Sequence, residues 1–165
     1  MAVKSLIGEL RQEAVTTRRI LERVPEEKLR WRPHPKSMSL GELAMHVAML
    51  PRGIVDLVST LEVNVPSVPR REAIAVDELL STLANSVEFA ASRLAQWSDE
   101  DMAAIWTMKH EEKTLAAIPR MGVLRSLLFN HWYHHRGQLA VYYRCLGVPV
   151  PAIYGRSADE KLFGV

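Results

Sequence analysis

The chain has 165 residues, 48% of them hydrophobic and 24% charged, with a net charge of +2, and we expect one globular domain spanning residues 1–165. Acids and bases are interspersed without a basic stripe, so nucleic-acid binding has no support, and no apolar run approaches the ~20 residues that a membrane-spanning helix needs. The single cysteine, Cys145, excludes an internal disulfide and favours a reducing cytoplasm, and the N-terminal residues meet acids too early for a signal peptide.

The N-terminal part of the chain contains two predicted helices. Apolar residues recur at three- and four-residue spacing over residues 3–24, and Pro25 ends this helix. A proline-rich connector follows. Ser39 and Glu42 then have the spacing of a capping box, which predicts the start of a second helix over about 39–61.

The second helix contains an internal proline and a histidine near its apolar stripe. Pro51 lies inside it, so the helix either kinks or breaks there. His46 lies close to its apolar stripe, four residues after Glu42. Because of its spacing from Ser39, Glu42 is interpreted first as part of the helix cap. The alternative is that its side chain lies over the same site as His46.

A long connector over 62–75 separates the second helix from a third, predicted over about 77–96 with Asp77 as its N-cap. Residues 97–102 are predicted to form a turn. The stretch 103–118 is either a short hairpin or an extended crossover, and its pattern does not decide between them.

The fourth helix is the longest, predicted from Pro119 to Leu146, with Gly147 as its natural stop. The residues after it, 148–165, are predicted to form a loop-like tail. Four amphipathic helices with long crossover connections indicate an all-α protein, a four-helix bundle. Metal sites in such bundles are built from facing helices.

The fourth helix carries half of the six histidines of the chain. His131 and His135 are four residues apart, which places them on one helix face, as in the H-x3-H pattern that binds metals. On a wheel of about 100° per residue with His131 at zero, the apolar residues cluster within about 80° of zero, and His135 lies at about +40°. The inward pair is therefore His131 and His135, and for this pair alone metal binding and a satisfied core position are equally supported.

The same wheel places Gln138 inward, at about −20°, and His134 at about −60°, on the rim. Gln138 is a candidate to accept the second ring N–H of a metal ligand, as is Glu42. His134 is interpreted as a rim or supporting residue, and Tyr142 as packing or pocket lining. Arg136 and Arg144 either bind an acidic substrate or face solvent.

Two blocks of sequence resemble the DinB/YfiT-like family of four-helix-bundle proteins. The first block resembles the family pattern WRP…SxSxGELxxH and reads Trp31-Arg32-Pro33 with Ser37-x-Ser39-Leu40-Gly41-Glu42-Leu43-Ala44-x-His46. The second block resembles the pattern NHxxHHRGQL…YLRxxGxxvP and reads Asn130-His131-x-x-His134-His135-Arg136-Gly137-Gln138-Leu139 with Tyr143-Arg144-x-Leu146-Gly147-x-Pro149-x-Pro151. The blocks occur in the family order and the resemblance covers nearly the whole chain.

The resemblance implies a divalent metal held by one histidine of the second helix and two of the fourth, which here are His46, His131 and His135. Three imidazoles leave an open coordination position, which is typical of catalysis. Imidazole ligands suit several metals, and zinc and nickel are expected first.

For function, the resemblance implies a metal-dependent enzyme, a transferase, isomerase or hydrolase-like protein. Family members of known activity join a low-molecular-weight thiol to a small electrophile, and these are the expected substrates. Two alternatives stay open. One is a non-catalytic metal-binding, stress-associated protein, and the other is a bundle without metal that acts by association. A homodimer is expected, because bundles of this size often pair through exposed helix faces.

Overall fold

The computed structural model describes residues 2–67 and 70–161. Its elements in chain order are α1 (Ala2–Leu21), a 3-10 turn (Glu26–Lys28), α2 (Leu40–Leu57), β1 (Glu62–Asn64), α3 (Val76–Leu94), α4 (Asp99–Ala103), β2 (Ile105–His110), β3 (Lys113–Pro119), α5 (Arg120–Val123), a π-helical segment (Leu124–Asn130) and α6 (His131–Leu146). The last three are continuous and form one long helix. The predicted all-α bundle is confirmed, with a small sheet added to it.

The four long helices enclose the core. α2 packs against α3 and α6, and α1 packs against α3. Each helix contributes one apolar stripe, as amphipathic helices of a bundle do. Fully or almost fully buried members of these stripes include Leu6, Leu10, Leu43, Val47, Leu83, Leu94, Leu128 and Leu139.

A three-stranded sheet in the order β1-β2-β3 covers one part of the bundle. β2 and β3 pair antiparallel, so of the two alternatives for residues 103–118 the hairpin is correct. Trp106 of β2 is buried and ties the hairpin to the core. β1 pairs parallel to β2 and was not predicted, because three residues of a connector carry no strand signal of their own.

Several predicted boundaries are wrong. The first helix ends at Leu21, three residues before the predicted end. The third is capped by Ala75, and Asp77 lies in its first turn, where its charge is favourable near the positive end of the helix. Residues 97–102 do not form only a turn. A capping box between Ser98 and Asp101 starts the short helix α4 there.

The remaining predictions for loops and kinks are mostly confirmed. α2 runs through Pro51 without breaking, but it ends at Leu57, four residues before the predicted end at about residue 61. The tail is loop-like over residues 148–161, and residues 162–165 lie outside the described part of the chain. Val68 and Pro69, inside the predicted connector, lie outside it as well.

Candidate metal centre

Three histidines from two helices meet inside the bundle. His46 comes from α2, and His131 and His135 come from the start of α6. One ligand nitrogen of each lies within 4.8 Å of the other two. The ring centroids are 4.4 Å apart for His131 and His135, 4.6 Å for His46 and His135, and 5.2 Å for His46 and His131.

Local structure positions the histidines on both helices. Ser39 accepts a hydrogen bond from the backbone of Glu42, whose carboxylate accepts one from Ser39 N at 2.8 Å, and this capping box fixes the start of α2. The π-helical segment ends at Asn130, directly before His131. Such segments are frequent at functional sites because they change the rotational position of the side chains that follow.

A hydrogen bond between neighbours of the histidines joins the two helices. Trp132, which follows His131, donates its indole N–H to the carbonyl of Val47, which follows His46, at 2.9 Å. Both groups are buried, so solvent does not compete for the bond. α2 and α6 are therefore fixed to one another within one residue of the candidate ligands.

The nitrogen atoms of the site fit a bound divalent metal. Nε2 of His131 and Nε2 of His135 are 2.6 Å apart. Nε2 of His46 is buried and has no hydrogen-bond partner among the described residues. Tetrahedral ligation by imidazoles at about 2.0–2.1 Å requires nitrogens about 3.3 Å apart. The contact between His131 and His135 would have to open by about 0.7 Å to meet this requirement, and a metal bound there would give the unpaired nitrogen of His46 a partner.

The environment keeps the three imidazoles neutral. Burial lowers the pKa of His135 to about 4, with the neighbouring histidines adding to the effect. Burial also lowers the pKa of His46 and that of His131. The neutral ring is the form of histidine that binds metals, so the site is poised for ligation at neutral pH.

Gln138 and His134 occupy the positions around His135. The side-chain oxygen of Gln138 lies 2.7 Å from Nδ1 of His135. It accepts the Nδ1–H, and this tautomer leaves Nε2 free for a metal. The ring of His134 is exposed, and its centroid lies 5.0 Å from that of His135.

The contacts of Glu42 and Tyr142 within the described part of the chain are with residues other than the three histidines. The carboxylate of Glu42 lines the cleft described below but is engaged in the capping box and lies 3.8 Å from Arg32, so the cap interpretation is the one that the contacts support. Tyr142 donates to the carbonyl of Met38 at 3.1 Å and packs edge-on against Trp31. It therefore supports the wall of the cleft through Met38.

The three histidines open onto a cleft of about 900 Å³. Its walls come from α2, α3 and the segment between β1 and α3. The apolar part includes Met38, Met45 and Met49, and the charged part includes Arg52, Arg70 and Arg71. A cavity of this size that is mostly apolar, with a few converging polar groups, is typical of a small-molecule site.

The arginines of the cleft were not identified from the sequence, where Arg70 and Arg71 have only the pattern of a solvated loop. They are indeed exposed, but the path of the connector brings them to the cleft. Arg136 neither faces solvent nor reaches the cleft lining. It is 1% exposed and forms an ion pair with Glu13 of α1. No local sequence pattern distinguishes an exposed arginine that lines the cleft, such as Arg70, from a buried one in an ion pair, such as Arg136.

Fold and site together define a helical bundle with an inward three-histidine centre beside an open cleft. Residues 1–161 match the sequence profile of the DinB family, and the chain belongs to that family. The chain is 28% identical over 153 residues to the uncharacterized protein YrdA of Bacillus subtilis (strain 168), covering 90% of this chain and 85% of that protein.

Solved structures share the fold. A DinB-like protein from Bacillus cereus ATCC 10987 superposes with a TM-score of 0.73 and 22% identity, covering 92% of this chain and 97% of that one. A DinB family member from Exiguobacterium sibiricum 255-15 superposes with a TM-score of 0.57 and 24% identity, covering 96% and 94%. Among the described residues, no helix has both the length and the apolar character needed to cross a membrane.

Proposed function

We infer that this protein binds a divalent metal through His46, His131 and His135 and is a metal-dependent enzyme acting on small molecules. The observation that carries this inference is the meeting of three neutral imidazoles at the wall of an open cleft. A site built only for stability has no need of a neighbouring cavity of about 900 Å³.

The reaction type that we propose is thiol-dependent transfer or isomerisation, in which a low-molecular-weight thiol meets a small electrophile. A divalent metal bound there would lower the pKa of a coordinated thiol, and the resulting thiolate is a much better nucleophile than the thiol. The chain itself contributes the neutral ligands, the acceptor Gln138 that fixes the His135 tautomer, and an apolar wall. Methionine side chains adapt to different shapes and so suit electrophiles of varied structure.

Zinc and nickel are the metals that we propose first. Three imidazoles and an open position suit both ions, and the absence of a thiolate among the three ligands gives no preference for softer metals. The acceptor role of Gln138 towards His135 is of the kind that orients metal-binding histidines in general.

The test is the metal content of the untagged protein as purified, measured by elemental mass spectrometry. We expect near-stoichiometric divalent metal in the wild type, and its loss in His46→Ala and in His135→Ala. His110→Ala, at the exposed end of β2, is the matched control and should retain metal. A wild type that neither contains metal nor takes up Zn²⁺ or Ni²⁺ would overturn the proposal.

The non-catalytic alternative makes a different prediction for the loaded protein. In an enzyme with an open position, thiols should perturb the metal, whereas in a purely structural site they should not. We expect Ni²⁺-loaded protein to develop a sulfur-to-metal absorption band with a simple thiol such as 2-mercaptoethanol. Association into a homodimer stays a prediction, which light scattering after size-exclusion chromatography checks.

A further inference from the structure

We propose that the cleft holds anionic groups of the substrate through Arg52 and Arg70, so that the thiol substrate is an acid and not a neutral molecule. This proposal rests on the proposed metal-dependent function and adds the chemical class of the substrate. The observation that carries it is the position of these two arginines on the lining of the same cleft as the three histidines.

The two arginines come from different elements. Arg52 belongs to α2 and follows His46 by six residues, which is about 9 Å along a helix axis. Arg70 belongs to the segment that leads to α3. Close to it, Ala73 N donates to the carbonyl of Gly41 at 3.4 Å, in the first turn of α2. This bond holds the connector against the start of α2, so Arg52 and Arg70 reach the same cleft from two separate elements.

Both guanidinium groups are available to a ligand. Arg52 stacks on the ring of Phe89 with a distance of 4.5 Å to the centroid, which fixes the group while leaving its N–H donors unengaged by any described residue. Arg70 has no ion pair or hydrogen bond within the described part of the chain. Arg71, in contrast, forms an ion pair with Glu78 and is neutralised. The planar donor fork of arginine matches a carboxylate or phosphate.

The acids of the cleft do not cancel this charge. Glu42 is engaged with Ser39 N and is close to Arg32. Asp56 is exposed on the lining and is not within ion-pair distance of Arg52, although it follows that residue by one helical turn. Among the described residues that line the cleft, two cations and one acid are thus free of charged partners, and the excess positive charge attracts anionic ligands by a field that salt weakens.

The size of the cleft agrees with a substrate that has separated functional groups. A thiol that reaches the histidines and carries a carboxylate about 9 Å away would span the distance to Arg52 along α2. Met45 and Met49 of α2 also line the cleft and would contact the carbon skeleton of such a substrate. A neutral thiol would bind at the histidine end alone and would leave both arginines unused.

The experiment compares glutathione, a thiol with two carboxylates, with its diethyl ester on the Co²⁺-loaded full-length protein, using the sulfur-to-cobalt absorption band to measure each Kd. We expect the acid to bind roughly tenfold more tightly than the ester. Arg52→Gln and Arg70→Gln should each weaken binding of the acid by about threefold to fivefold, leave the ester unchanged and retain the metal. Higher ionic strength should reduce the preference.

Two further variants sharpen the test. Arg93→Gln removes an exposed arginine of α3 that does not line the cleft, and it should leave both Kd values unchanged. Asp56→Asn removes the opposing charge and should tighten binding of the acid. Acetate and inorganic phosphate, added as competitors with the acid, then identify which anion the arginines prefer, and a lack of competition by both would contradict the proposal.

The outcomes separate this proposal from the one on which it rests. If the protein takes up cobalt and binds the acid and the ester equally well, the arginine site is overturned and the metal site stands. If cobalt binds and neither glutathione nor its ester produces the sulfur-to-cobalt band, the proposal that the substrate is a thiol is overturned together with the arginine site. If no metal is taken up, the proposed function itself fails, and the inference falls with it.

Discussion

Trp132 donates its indole N–H to the carbonyl of Val47, which lacks the partner that a helical carbonyl ordinarily has. In an α-helix the carbonyl of residue 47 accepts from the N–H of residue 51, and residue 51 is Pro51, which has none. The Trp132 bond, at 2.9 Å and buried, satisfies this acceptor. A proline that would weaken α2 thus creates the acceptor that joins α2 to α6 beside His46 and His131.

Removing the indole donor should weaken the protein and the metal site together. We expect Trp132→Phe to lower the free energy of unfolding by about 2–3 kcal/mol, because a buried carbonyl loses its partner and the smaller ring leaves a cavity. Metal affinity should also fall, since the two ligand-bearing helices are no longer fixed beside the site. Urea unfolding of the metal-free protein and a chelator competition measure the two effects.

The hydrogen bond can be separated from the cavity by a double-mutant cycle with Pro51→Ala. Alanine restores the N–H that the Val47 carbonyl lacks, so in this background Trp132→Phe should cost about 1 kcal/mol less than in the wild type. Equal costs in both backgrounds would show that the loss comes from packing alone. Gly53→Ala, on the same helix and with nothing near an added Cβ, is the control that should not couple to Trp132.

Gln138 is expected to act on the metal through His135. Gln138→Leu removes the acceptor for Nδ1–H, so the ring loses its fixed tautomer, and metal affinity should fall by about 10- to 100-fold. Gln138→Glu keeps an acceptor at the same position and should retain or raise the affinity. Zn²⁺ competition with a chromophoric chelator measures both. Equal losses in the two variants would indicate a steric cause instead.

The sequence predicted the inward face of the last helix because the helical period fixes which residues share a face. His131, His135 and Gln138 were found in this way. The wheel gave no information on what lies across the core, so the approach of His46 rested on family resemblance. The same limit applies to Trp132 and Val47, whose bond joins residues 85 positions apart.

The parts of the site that depend on chain path were not predictable. The connector before α3 follows β1, which pairs with β2, and that pairing joins segments far apart in sequence. Arg70 follows this path. Its residue type and neighbours are those of any solvated loop, so only the tertiary structure shows that it lines the cleft.

Arg136 is expected to be structural and costly to remove. Its guanidinium is 1% exposed, pairs with Glu13, and donates to Thr17 Oγ1 at 3.1 Å. It also contacts the hydroxyl of Tyr154 in the tail. Arg136→Met should lower the free energy of unfolding by about 3–5 kcal/mol, because Glu13 is left without its buried partner. Limited proteolysis should cut the tail faster, since Tyr154 loses a contact.

The matched control for Arg136 is Arg144, on the same helix and also paired with an acid. Arg144 is 53% exposed and lies 2.7 Å from Asp159. Arg144→Met should therefore cost less than about 1 kcal/mol. Similar losses in the two variants, measured by urea unfolding, would contradict the view that burial makes the Arg136 pair the more important one.

Glu9 should make a small contribution to acid sensitivity. The hydrogen bond from Arg125, at 2.6 Å, lowers the pKa of this carboxyl below its ordinary value of 4.5, and a bond from the hydroxyl of Tyr133 adds to the effect. The unfolded chain takes up the proton first as pH falls, so the stabilisation is present above pH 4.5 and is lost as pH falls through the lower pKa of the folded protein. Because the group is partly exposed, the loss should be under about 1 kcal/mol.

Urea midpoints of the wild type should therefore fall more steeply than those of Glu9→Gln between about pH 5 and pH 3. Parallel curves would show that the Arg125 contact does not favour the ionised carboxylate.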